Sequence, residues 1–129
     1  MSTESFGVKQ SFKAAADYSA KQYYLMYISA ASTVTICGAA GKVIGIMYGK
    51  PEANQYGDVL TACGVMAKCI AGGTVAAGNI VESDSAGKAV AFTYDADGST
   101  ETYAVGRAVT AAATGGIFTV LTNFVPASK

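Results

Sequence analysis

Four stretches decide the fold: Gly73-Thr-Val-Ala-Ala-Gly-Asn-Ile-Val81, Ala86-Gly-Lys-Ala-Val-Ala-Phe92, Tyr103-Ala-Val-Gly-Arg-Ala-Val109 and Gly115-Gly-Ile-Phe-Thr-Val-Leu121. Each joins a short β-type run to a glycine-centred turn, a layout of brief strands joined by tight reversals. Asp84-Ser-Ala-Gly87 and Asp97-Gly98 carry the residue types that reverse a chain tightly. Strands are predicted at Ile80–Glu82, Lys88–Tyr94, Glu101–Val109 and Ile117–Phe124. Val90, Phe92 and Tyr94 share one face by alternation, as do Tyr103, Val105, Arg107 and Val109. The Ala-rich link from Thr110 to Gly116 has room for a helical turn.

The same pattern continues upstream. Tyr23-Tyr-Leu-Met-Tyr-Ile28 is apolar on both parities, as in a strand buried on both faces or one with one face in the core and the other at an interface. Thr33-Val-Thr-Ile-Cys37 alternates, and Lys42-Val-Ile-Gly-Ile-Met-Tyr48 makes a further strand that Gly49-Lys-Pro51 ends. Residues 58–70 admit two readings. Val59, Leu60, Cys63, Met66, Ala67 and Ile70 have helical spacing, with Asp58 as an N-cap. Against this, Gly64 sits mid-segment, and Val65, Ala67 and Cys69 alternate with Met66, Lys68 and Ile70 as a strand would; periodicity alone slightly favours the helix. Residues 1–17 are a polar lead whose large apolar residues are Phe6, Val8 and Phe12. Such a segment has no core of its own, and we read it as an extended arm that orders on a neighbour, followed by one β domain over 18–129.

Composition limits the function classes. A chain of 129 residues is expected to form one domain. Charged residues are only 14% of it and hydrophobic residues 51%, so a sizeable apolar patch is expected to lie against a partner. Net charge is zero and the lysines are dispersed, which argues against nucleic acid or an anionic membrane as that partner. The chain has no His, which excludes His-dependent triads and His-containing zinc sites and removes the commonest acid–base group. No phosphate-binding glycine loop occurs. No secretory signal and no apolar run of ~18 residues is visible. We therefore expect no enzyme activity, no cofactor and no small-molecule substrate. Cys37, Cys63 and Cys69 include no C-x-x-C pair and read as three buried free thiols, consistent with synthesis in a reducing cytoplasm.

Two features remain. Asp95-Ala-Asp-Gly-Ser-Thr-Glu101 spaces its oxygens like the start of a calcium loop, but it lacks the distal glutamate and reads first as a hairpin turn. No metal is expected there. Eight tyrosines outnumber five phenylalanines, and Tyr18, Tyr23, Tyr24 and Tyr27 cluster close to the arm. Tyrosine suits an interface, and equally the rim of a β body.

From Val43 to Phe124 the chain resembles the capsid cement, or head decoration, proteins of tailed bacteriophages. The resemblance lies in the order of its parts: Gly57-Asp-Val-Leu60, Gly64-Val65, Thr74-Val-Ala-Ala-Gly78-Asn-Ile-Val81, Asp84-x-x-Gly87-Lys88, Tyr103-Ala-Val-Gly106-Arg-Ala108 and Ala111-Ala-Ala-Thr-Gly115-Gly-Ile-Phe-Thr-Val120. Residues 1–30 depart from it, being longer and richer in tyrosine. The resemblance implies two short strands over Gly57–Ile70 and an all-β fold, a small β-barrel or β-tulip-like body, often trimeric. It implies a virion protein on the outer capsid surface, bound to the major capsid protein and clamping capsomers against internal DNA pressure. Phe6, Lys9, Phe12, Lys13, Tyr18, Tyr23 and Tyr24 would be the partner contacts. A small fibre or tail module recognising a host glycan or protein is the alternative. An exposed sheet edge exchanging a strand with the shell is one expected docking mode.

Overall fold

A computed structural model of the chain describes residues 9–38, 42–92 and 102–127. These residues are all-β: β1 (Lys9–Ala14), β2 (Leu25–Ala30), β3 (Thr33–Ile36), β4 (Gly45–Met47), β5 (Tyr56–Leu60), β6 (Met66–Ile70), β7 (Ile80–Ser83), β8 (Ala89–Ala91), β9 (Thr102–Ala108) and β10 (Ile117–Ala127). The first five close a barrel in the order β1-β3-β2-β4-β5, and the rest form a sheet in the order β6-β10-β9-β7-β8. Phe6 and the Asp95–Glu101 cluster lie outside the described residues.

The two halves share a core. Leu25, Cys37, Ile46 and Leu60 from the barrel pack with Cys69, Val81, Val105, Phe118 and Val120 from the sheet. A second cluster, with Met26, Val34, Met47 and Val59, fills the barrel. Neither sheet could bury its apolar side without the other, so the body folds as one unit.

Residues 58–70 resolve as two strands. β5 and β6 both alternate, with Gly57, Val59, Ala67 and Cys69 inward. Between them Gly64 takes φ +79, a left-handed conformation that a helix interior excludes and glycine adopts at little cost. Asp58 caps no helix; it sits in β5 opposite Ser11.

Residues 9–14 of the expected arm are instead a structural strand. β1 pairs antiparallel with β5 from Lys9↔Leu60 to Lys13↔Tyr56 and parallel with β3 at Lys13↔Thr33 and Ala14↔Val34, closing the barrel. Only Phe12 and Ala14 turn toward the core while Lys9, Gln10 and Ser11 are exposed. The strand's apolar signal is thus two residues long, and its pairing partners lie 20 positions away in β3 and 43 to 51 positions away in β5.

Three further expectations change. Thr110–Gly116 holds no helical turn; Val75 and Ala112 exchange two backbone hydrogen bonds of 2.9 Å there. Cys63 is exposed, because it lies in the turn before Gly64, while Cys37 and Cys69 are buried as expected. Val105 and Arg107 do not share a face. Val81 pairs with Gly106 and Glu82 with Ala104, so Val105 is an extra residue in β9. This bulge re-aims the strand, turning Val105 fully inward and leaving Arg107 exposed.

Groups on both edges of the second sheet have partners. On the outer side of β6, the Lys68 N–H donates to the Tyr48 hydroxyl at 2.7 Å and the Ile70 N–H to the Tyr23 carbonyl at 3.3 Å. Beyond β8, the Gly72 N–H donates to the Ala89 carbonyl at 2.8 Å. The barrel, being closed, has no edge.

Candidate functional site: the outward face of the second sheet

The inward parity of β6, β10, β9 and β7 supplies the shared core, so the opposite parity faces away from it. That outward face is unusually apolar. Met66, Leu121, Arg107 and Ile80 are register partners in one row across four strands. Lys68 and Thr119 stand in the next row, where Val109 donates its N–H to the Thr119 carbonyl, and Ile70 faces Ile117 in a third. Met66 is 63% exposed, Ile117 54%, Leu121 44% and Ile80 37%. With Val109, these make five of the seven large apolar side chains that are exposed among the described residues. The concentration on one face distinguishes them from scattered surface hydrophobes.

Two grooves mark this face. One of about 640 Å³ runs beside the β9 bulge and is lined by Cys63, Ile80, Gly106, Arg107, Leu121 and Asn123, among others. Its floor exists because Gly106, at φ +153, lets the backbone approach; a Cβ there would strike the Leu121 carbonyl oxygen. The second, about 260 Å³, lies where the barrel meets β6, between Tyr23, Tyr48, Met66, Lys68 and Thr119. Tyr48 is tightly held in it. Its ring meets Tyr23 edge-on at 5.2 Å and 81°, the Lys9 ammonium lies 5.2 Å from its centroid, and its hydroxyl accepts the Lys68 N–H. Burial pushes the Tyr48 hydroxyl above its ordinary pKa, partly offset by that hydrogen bond.

The charged side chains that line the grooves, Lys68 and Arg107, are cationic, while Glu82 shares the outward parity of Ile80 in β7. Arg107 Nη1 donates to the Gly78 carbonyl at 2.9 Å, and no carboxylate lines either groove among the described residues. No group of three or more Cys, Asp or Glu is placed to hold a metal ion among the described residues. Among the described residues, the grooves are thus lined by apolar and neutral polar groups and by two cations.

The residues expected to touch a partner take varied places. Lys9 is exposed at the rim of the smaller groove and Tyr23 lines it. Phe12 is half-buried against the barrel core and Lys13 is half-buried in β1. Tyr18 is buried, its hydroxyl accepting the Ile36 N–H at 3.4 Å. Tyr24 is buried beneath the ammonium groups of Lys21 and Lys88, 4.9 and 6.0 Å from its ring centroid. Most of the tyrosine cluster therefore holds the barrel to its surroundings. The outward face itself went unread in the sequence. Its signal was present in Ile117-Phe-Thr-Val-Leu121, which is apolar on both parities in a sheet with only one face toward the core.

No protein-family model matches the chain, and no curated protein matches it. Among solved structures it is similar to the head fiber gp8.5 N base in bacteriophage phi29, with a TM-score of 0.70 at 19% identity, over 90% of this chain and 93% of that one. At that identity the likeness is one of fold.

Proposed function

We propose that this chain is a non-enzymatic structural protein of a bacteriophage head, one that attaches to the outside of the shell through the outward face of its second sheet. The observation that carries the reading is the shared fold: nearly the whole of a head-fibre base superposes on nearly the whole of this chain. The ordered glycine-turn motifs, resembling head decoration proteins, point to the same place on the virion. The exposed apolar rows supply the means of attachment.

In this reading the partner is the major capsid protein. Identical copies repeat around the shell, so modest contacts at each site add up by symmetry. A body seated at a junction between capsomers would clamp them against internal pressure, and self-association into trimers would match a threefold junction. A fibre base is the second reading, favoured by what the structural neighbour is. The two share the attachment step and differ in whether another part projects from the body. Since the Lys68 and Ile70 donors on the β6 edge are already engaged, attachment at that side works through side chains rather than strand exchange.

The test is direct. Purified protein is mixed with heads of the phage that encodes it, stripped of this protein, and imaged by cryo-microscopy. Density repeating over the capsomer lattice supports a clamp, and projecting density at a subset of sites supports a fibre base. Absence from heads altogether, with density at the tail, would overturn both.

A further inference from the structure

We infer that the outward face receives an extended, acidic segment of its partner, with apolar side chains between the carboxylates, laid across β6, β10, β9 and β7; the inference rests on the attachment reading above. Charge carries it first. Lys68 and Arg107 are the charged groups lining the two grooves, and both are cationic. The whole chain is neutral, whereas the charged groups lining the grooves are of one sign. Glu82, two residues along β7 from Ile80, keeps one carboxylate oxygen buried. The single bond from Arg107 to Gly78 orients the guanidinium without using up its five donors. A carboxylate arriving between apolar contacts would meet a cation already oriented to receive it.

Dimensions carry it next. The row Met66–Leu121–Arg107–Ile80 crosses three interstrand spacings, roughly 14 Å at ~4.8 Å each, which an extended chain covers in about five residues. The two grooves meet at the Met66–Leu121 pair, so one segment can occupy both. Tyr48 is fixed by three contacts before any partner arrives, which lowers the ordering cost of binding. A second copy offering this same face would bring Lys68 and Arg107 against their own equivalents, which opposes such pairing.

The experiment uses the full chain and two blocked peptides of about nine residues, one alternating glutamate with leucine, the other glutamine with leucine. Backbone amide and methionine methyl NMR signals are followed during titration. The glutamate peptide is expected to shift Met66, Lys68, Arg107 and Leu121, binding at least about tenfold more tightly than the glutamine peptide. Lys68→Glu with Arg107→Glu is expected to abolish the shifts while leaving the rest of the spectrum folded; Lys68→Gln alone is expected to weaken them. Equal binding of the two peptides, shifts spread over Lys21 and Lys88, or self-association of the free protein through this face would each overturn the inference. Stripped heads separate the two failures. A charge-reversed protein that decorates heads as well as the original overturns the acidic-segment inference and leaves attachment standing. An unaltered protein that ignores heads defeats attachment itself.

Discussion

The Tyr48 hydroxyl accepts the Lys68 backbone N–H at 2.7 Å, so a barrel side chain occupies an edge donor of the second sheet. Tyr48→Phe removes the acceptor and keeps the ring against Tyr23. The expected loss is about 1 kcal/mol, read from a lowered urea midpoint with an unchanged slope. Faster hydrogen exchange at the Lys68 amide should accompany it. An unchanged Lys68 exchange rate would show that the bond contributes nothing.

The same residue sets an alkaline limit. Burial raises the Tyr48 pKa in the folded protein above its ordinary value near 10.0. A raised folded-state pKa contributes stability that is fully present below the unfolded-state value and is lost as pH rises through the folded-state value. Stability should therefore fall above about pH 10, more steeply in the original protein than in Tyr48→Phe. Parallel pH–stability curves for the two would refute this.

Gly106 and Gly78 separate conformational strain from collision. Both have positive φ, +153 and +92, but a Cβ at Gly78 meets nothing within 4 Å whereas one at Gly106 runs into the Leu121 carbonyl. Gly78→Ala is expected to cost about 1 kcal/mol. Gly106→Ala must also move β10 or undo the bulge, and is expected to cost more than about 2 kcal/mol. Denaturant titration of both variants measures the difference.

Thr122 is 1% exposed, and its hydroxyl donates to the Ala62 carbonyl at 2.8 Å and accepts the Val65 N–H at 3.2 Å. It holds the turn between β5 and β6 against β10. Thr122→Val keeps the volume and strands both partners, with an expected loss of about 2 kcal/mol; Thr122→Ser should retain most of the stability. Equal stability of Val and Ser variants would contradict this role.

The thiols should react in two classes. Cys63 is exposed, Cys37 and Cys69 are buried, and burial pushes the Cys69 thiol far above its usual range. A maleimide should label Cys63 in the native protein and the other two only on unfolding. Mass spectrometry of the labelled peptides reports the order, and early labelling at Cys69 would contradict the placement.

Much of the strand pattern was legible because its signals are local. Gly64, Gly78, Gly87 and Gly115 mark turns at positive φ, and the alternation in β5 and β6 spans a few residues each. β1 was not legible. Two inward residues make no pattern, and what stabilises the strand is pairing with β5, far along the chain. The outward face was hidden differently. Period-two alternation shows which residues share a side, but with both sides apolar in β10 it does not tell which one the core takes. In β9 the extra residue Val105 also broke the count.

Composition and turn chemistry alone therefore determined an all-β body with little charge, no histidine and an expected need for a partner. Closure of the barrel by β1, engagement of the β6 edge by Tyr48 and Tyr23, and the gathering of Met66, Leu121 and Ile80 on one face were decided only in three dimensions. Each depends on register between strands distant in sequence, and register comes from contacts that exist only once the chain has folded.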